Sequence, residues 1–126
     1  MNDATRLLVI RHGETAWNVE QRIQGQLDIP LNDTGLWQAD RVGVAVAQEG
    51  IAAIYSSDLQ RAHLTAQSIG RAAGVAVRLE ERLRERHFGE LEGLTHDEIH
   101  ARWPEQARRW KQRDPAYGPT GGETLA

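Results

Sequence analysis

The segment Arg11-His12-Gly13 follows directly on four aliphatic residues, Leu7-Leu8-Val9-Ile10. An imidazole beside a permanent planar cation can serve as nucleophile, base or metal ligand, and the guanidinium's paired donors match phosphate or carboxylate oxygens. Gly13 has no side chain to keep a ligand off the backbone. Alone, the trio is as well explained by a turn carrying a surface Arg-His pair. A second cation shifts that balance. "YSSDLQRAHLTA" puts Arg61 in the first turn of a helix, where free N–H groups and the helix dipole attract anions. The competing assignment for Arg61 is a solvated ion pair with Asp58, three residues earlier. Two arginines aimed at one histidine describe a site for a dianion.

"LEERLRERHFGELEG" supplies carboxyl groups. Glu85, if partly desolvated near a bound phosphate, would have its pKa raised and could donate a proton to a leaving oxygen. By spacing alone Glu80, Glu81, Glu90 and Glu92 are its equals. Asn18, in "ETAWN", could donate its amide to a phosphate oxygen or satisfy its own backbone in a loop. Trp17 beside it is expected to pack.

Other chemistries find less support. His96 and His100 stand four apart, but "HDEIH" lacks the Glu that follows the first His of the zinc-protease "HExxH", and no third ligand is evident. The "GGE" glycines lack the Lys and Ser/Thr of a P-loop. Arg102, Arg108, Arg109, Lys111 and Arg113 alternate with Glu98, Glu105 and Asp114, the pattern of a solvated helix face. His63 is expected on a helix, at its surface or partly buried, rather than in the chemistry. With no cysteine there is neither a disulfide framework nor a thiolate zinc site.

These residues need elements to hold them. Leu7–Ile10 is a continuous apolar run, expected as a strand buried on both faces. Asn32-Asp33-Thr34 offers N-caps for a helix whose apolar face is Leu36, Ala39, Val42, Gly43 and Val46, ending near Gly50. "IAAIY", residues 51–55, predicts a second strand. Leu59, Ala62, Ala66 and Ile69 predict a second helix ending near Gly74, and 75–79 a third strand. This order predicts βαβ units and a mainly parallel sheet with helices on both faces, whose ligand sites lie beyond the carboxyl ends of the strands. Thr95 with Glu98 has capping-box spacing, Pro104 should break or restart the following helix, and "GGETLA" resembles the start of another. Three strands make a thin sheet, so a truncated domain is expected.

The length of 126 residues suits one domain with one core. Hydrophobic content of 40% and charged content of 26% are those of a folded soluble chain. A net charge of −3 provides no field for nucleic acid or an anionic membrane, so any anion site must be local. No apolar stretch approaches the ~20 residues of a membrane span, and Met1-Asn2-Asp3 does not open a signal peptide. A cytoplasmic location is the expectation. Trp37, Trp103 and Trp110 on predicted helices leave core or homodimer interface open.

Three ordered segments, "LLVIRHGETAWNVEQRIQGQLDIPLNDTG", "IYSSDLQRAHLTAQSI" and "RLRERHFGELEGLTHDEI", resemble the histidine phosphatase, or phosphoglycerate mutase-like, superfamily. The resemblance covers essentially all of residues 1–126 as one domain. It implies a three-layer α/β/α fold with a mainly parallel sheet. It makes His12 the nucleophile that forms a phosphohistidine, with Arg11 and Arg61 clamping the oxygens and Asn18 assisting. Gln24 and Gly25 would line the substrate side, and Glu85 would be the general acid and then the base. No metal or cofactor is implied; 2,3-bisphosphoglycerate would be needed only by a mutase. The partner would be a small phosphorylated metabolite. The family's second histidine, after a later strand, has no counterpart, since His63, His87, His96 and His100 all fall in earlier blocks. The chain is thus expected to be the N-terminal part of such a domain, and a site short of one donor would lose several orders of magnitude in rate at ~3 kcal/mol or more per donor. "FGELEGLTHDEIHARWP" is short and acidic, as in the phosphatase branch. Gln24 stands where mutases carry a small hydroxyl residue. Phosphomonoester hydrolysis is therefore preferred to phosphoglycerate mutation, with a non-catalytic phosphate-binding module as the reading from another class.

Overall fold

The helical spacing of residues 33–46 is realised as a helix because Asn32 caps it, its Oδ1 accepting from Gly35 N at 2.8 Å. The computed structural model describes residues 4–126; Met1-Asn2-Asp3, and with them the reading of the chain's start, lie outside the described residues. In order the elements are α1 (Ala16–Glu20), α2 (Asp33–Val46), β1 (Ile54–Ser56), α3 (Gln60–Ala73), β2 (Val77–Leu79), α4 (His96–Arg102) and α5 (Pro104–Lys111), with single 3₁₀ turns at Glu81–Leu83 and Gly89–Leu91.

β1 and β2 pair in parallel, Ile54 opposite Val77 and Ser56 opposite Leu79, with α3 as the crossover. Glu80 N donates to Ser56 O at 2.7 Å and extends the pairing by one bond. One face of this pair packs into a core of Ile54, Ala66 and Ile69, closed by Val42 and Val46 of α2 with Ile51, Val75 and Val77. Each buried isoleucine there is worth about 1.5–3 kcal/mol. A second core lies under α4 and α5: Ile23, Leu91, Ile99 and Ala107, flanked by Phe88, Leu94, Trp103 and Trp110. Thr95 caps α4 by accepting from Glu98 N, while the Glu98 carboxylate turns to Arg22 rather than closing a capping box. Pro104 stands at the first turn of α5, where its missing N–H costs nothing.

Four expectations are corrected. Leu7–Ile10 pairs with no strand among the described residues and is not buried: Leu7 is 80% and Val9 94% exposed. An apolar run becomes a strand only where a neighbour accepts its ladder. The sheet accordingly has two strands, not three. Helices cover one of its faces; the other carries exposed Tyr55 and Arg78, the guanidinium standing over the ring. Finally, residues 121–126 form turn and coil rather than a helix start. They are held to the segment before Leu91 instead, with Glu123 N donating to His87 O and Glu90 N to Thr120 O. Among the described residues no helix is long and apolar enough to cross a membrane.

The tightest packing is between backbones. A methyl on Gly13 would stand 2.5 Å from Gly35 O, and one on Gly35 would collide with the Glu14 carbonyl. Gly35→Ala should therefore destabilise the protein by about 2–3 kcal/mol, despite alanine's better helix propensity. A urea-midpoint shift at unchanged slope would register it; an unchanged midpoint would show that the loop yields instead.

Candidate active site

His12 is held through its neighbours. Gly13 N donates to Thr65 Oγ1 at 3.0 Å, and that hydroxyl donates to Arg61 O at 2.8 Å. Glu14 is stitched to α2: its N–H donates to Gln38 Oε1, its carbonyl accepts from Asn32 N, and its carboxylate accepts from Asn32 Nδ2 at 3.0 Å. The loop after Ile10 is thus docked onto the start of α2 and the second turn of α3. A second constraint joins the role expected of Gly13. It is buried and lines the cavity beside His12, and its missing side chain also admits the backbone of Gly35.

The His12 ring is half-buried, with Nδ1 2.6 Å from Gly13 O. A carbonyl only accepts, so Nδ1 carries the proton and Nε2 keeps its lone pair. Burial pulls the imidazole below its ordinary 6.5. Arg61 and Arg11 push the same way, while the Gly13 bond and Glu85 oppose them. The neutral, nucleophilic form is the one favoured.

Arg61 is 3% exposed. Its Nη1 donates to Leu27 O at 2.7 Å and its Nη2 to Gly25 O. Between those carbonyls, Gln26 N donates to Glu92 Oε1 at 3.3 Å. The turn 25–27 is therefore gripped at both ends of the 25–26 peptide group, the cation on its carbonyl and the carboxylate on its N–H, with the cation also holding the carbonyl of Leu27. Gly25 has φ +52°, and a Cβ there would meet Glu92 Oε1 at 2.5 Å, so two independent constraints require glycine. Asp28 completes the junction by capping α3 from outside, Oδ1 accepting from Gln60 N at 2.7 Å. Burial lowers the Arg61 pKa, opposed by the carboxylates of Glu85, Asp28 and Glu92.

Asp58 does not pair with Arg61. Its carboxylate accepts two bonds from Arg84, 2.7 Å from Nε and 2.6 Å from Nη2, and this pairing holds the carboxyl below the usual range. The fork ties the acid-bearing segment to the start of α3. The next residue, Glu85, is exposed rather than desolvated, which corrects the environment expected of it. Its backbone O accepts from Gln26 Nε2 and its Oε1 from Arg86 N.

The structure thus brings the expected residues to one junction, on two sides of His12. Arg11, His12 and Asn18 line an open cavity of about 410 Å³ with Glu14, Gln38 and Thr65. Arg61, Glu85, Gln24 and Gly25 lie outside that lining, yet Arg61 and Glu85 act electrostatically on His12. Asn18 sits on α1 rather than in a loop. The other histidines, His63, His87, His96 and His100, do not line the cavity. Among the described residues no cluster could hold a metal ion, His96 and His100 included. Sequence reasoning missed Thr15, fully buried between Asn18 and Gln24; Thr65; the Asp58–Arg84 fork; and Glu92, weighed only as a rival acid. For Thr15 a signal existed, its three-residue spacing from Asn18, which is that of a capping box.

The sequence profile of the histidine phosphatase superfamily (branch 1) matches residues 7–126. The chain belongs to this superfamily. It is 44% identical over 126 residues to phosphoglycerate mutase-like protein 4 of Arabidopsis thaliana, covering 98% of this chain and 55% of that one. It is 42% identical over 121 residues to glucosyl-3-phosphoglycerate phosphatase of Mycobacterium tuberculosis, covering 96% and 54%. The structure of a mycobacterial glucosyl-3-phosphoglycerate phosphatase with VO3 superposes with TM-score 0.84 at 42% identity, covering 90% of this chain and 54% of that one. The phosphoglycerate mutase-like α/β fold expected from the sequence is the one shared. The chain spans about half the length of these relatives.

The lowered His12 pKa has a definite sign. Below 6.5 the unfolded chain takes up a proton that the folded ring refuses, so this group's contribution to stability is present above 6.5 and is lost as pH falls through the folded value. Imidazole resonances followed by NMR should show His12 titrating below 6.5; a midpoint at or above 6.5 would contradict the geometry.

Proposed function

We propose that the protein hydrolyses small phosphomonoesters without a metal ion, through a phosphohistidine on His12. The observation that carries this reading is the bond between His12 Nδ1 and Gly13 O, which fixes the tautomer with a free Nε2 beside two guanidinium groups. In the first step Nε2 attacks phosphorus, the ester P–O bond breaks, and Glu85 gives its proton to the departing alkoxide. In the second, Glu85 takes a proton from water, the oxygen attacks phosphorus, the N–P bond breaks and inorganic phosphate leaves. Nδ1 keeps its proton on Gly13 O throughout. Arg11 and Arg61 offset the charge on the phosphoryl oxygens, with Asn18 and Gln24 donating amide hydrogens. Chemistry of this kind asks the protein mainly for position and charge compensation, and a covalent intermediate divides one displacement into two easier ones.

Several features support hydrolysis over mutation: a superfamily relative named as a phosphatase, the acidic segment after Glu85, and Gln24 in place of a small hydroxyl residue. The substrate would be a small phosphorylated metabolite of the cytoplasm.

The test is hydrolysis of an aryl phosphate in EDTA, with His12→Ala alongside. Turnover and an acid-labile, alkali-stable phosphoryl label should both vanish in the variant. A label that survives His12→Ala would overturn the nucleophile. Phosphoglycerate isomerisation that exceeds hydrolysis and is stimulated by 2,3-bisphosphoglycerate would make the protein a mutase. Vanadate binding without any turnover would make it a binding module.

A further inference from the structure

Thr15 is a fully buried polar side chain at the edge of the site, at 0% exposure. It touches both amide side chains assigned to the phosphoryl group. Its backbone N–H donates to Asn18 Oδ1 at 2.9 Å. Its Oγ1 accepts from Asn18 N at 3.1 Å and stands 2.7 Å from Gln24 Oε1 and 3.1 Å from Asn18 Oδ1.

A backbone N–H can only donate. It therefore fixes Asn18 with its oxygen inward and its NH2 outward, toward the cavity that Asn18 shares with Arg11 and His12. The hydroxyl decides Gln24. A threonine has one O–H proton and two acceptor lone pairs, one of which Asn18 N already occupies. With the proton directed to Gln24 Oε1, the shorter of the two contacts, Gln24 turns its NH2 outward. With the proton directed to Asn18 Oδ1, the second lone pair can accept from Gln24 Nε2, and the Gln24 carbonyl turns outward. The first arrangement offers donors to an anion, the second an acceptor that repels it. Among the described residues neither Asn18 Nδ2 nor Gln24 Nε2 has a hydrogen-bond partner within the chain.

We propose that Thr15 is a positioning residue for the phosphoryl group, its N–H and hydroxyl orienting the amide of Asn18, which lines the cavity, and that of Gln24, which Thr15 links to it, so that both turn their NH2 groups outward as donors. The inference rests on the phosphatase reading above for the identity of that anion. Its physical content is the removal of a choice: two amides that could each present either end are committed to the donor end before ligand arrives, so binding need not spend energy on turning them. The methyl of Thr15 has no part in this, and serine should serve as well.

The test measures orthovanadate affinity for the folded protein and five variants, each first shown to unfold cooperatively. Thr15→Val should weaken binding by about tenfold or more, the scale of one misdirected hydrogen bond to a charged group. Thr15→Ser should stay within about twofold of the parent. In an Asn18→Ala/Gln24→Ala background, Thr15→Val should change affinity by less than about twofold, since its route of action is gone, although its thermal midpoint still falls. Gln24→Glu keeps the inward acceptor and replaces the outward donor by oxygen; it should lose binding without loss of stability, and it keeps the test alive if Thr15→Val does not fold. Equal losses for Thr15→Val with and without the two amides, or failure of serine to rescue, would overturn the proposal. A readout that needs no anion separates it from the phosphatase reading. Side-chain amide resonances of Asn18 and Gln24 should move in Thr15→Val and return in Thr15→Ser. Resonances that stay put overturn the role of Thr15; a parent protein with these shifts but no vanadate affinity overturns the phosphatase reading alone.

Discussion

A buried guanidinium that must be satisfied organises this molecule. Arg61 is almost wholly removed from water, and a charge in that position is tolerable only with acceptors and counter-charges around it. The chain provides both. The carbonyls of Gly25 and Leu27 accept from it, and the carboxylates of Asp28, Glu85 and Glu92 favour its charge. All five of those groups belong to segments outside α3. Satisfying one side chain thus pulls together the turn at 25–27, the acid-bearing loop and the helix that packs on the sheet. It also spends only part of the guanidinium, which has five N–H donors.

The site is in this sense a seam. The core under α2 and α3 supports His12 and Arg61, and the core under α4 and α5 supports the segment from Glu85 to Glu92. The joints are polar: the Asp58–Arg84 fork, the Asp28 cap on Gln60, and the Glu92 carboxylate on Gln26. Bidentate and charge-assisted bonds of this kind have narrow geometry, which suits parts that must hold reacting atoms in register.

The sequence disclosed whatever depended on local rules. Asn32 and Thr95 as caps, Gly74 and Pro104 as boundaries, and Arg61 in a first turn all follow from preferences of single residues in short windows, and all are found where expected. The three chemical segments were legible because each carries its motif contiguously. What escaped was set by partners distant in the chain. Nothing near Glu92 announces that it will press on Gly25, 67 positions away, and nothing near Asp58 announces Arg84. The close approach of Gly13 to Gly35 is recognisable only once α2 is docked. The burial expected of Leu7–Ile10 failed for the same reason in reverse: apolar composition states a preference, and only a partner fulfils it.

That last segment gives the nucleophile an unusual mechanical setting. Residues 7–10 have no ladder and open side chains, whereas Gly13 is clasped between Thr65 and Gly35. His12 therefore stands at a frontier of cooperativity. Amides on its N-terminal side are set to exchange with solvent by small local fluctuations, while that of Gly13 must first leave Thr65 Oγ1. The imidazole takes its orientation from the clasped side alone, through the carbonyl of Gly13. Local opening upstream can therefore come and go while the tautomer stays fixed.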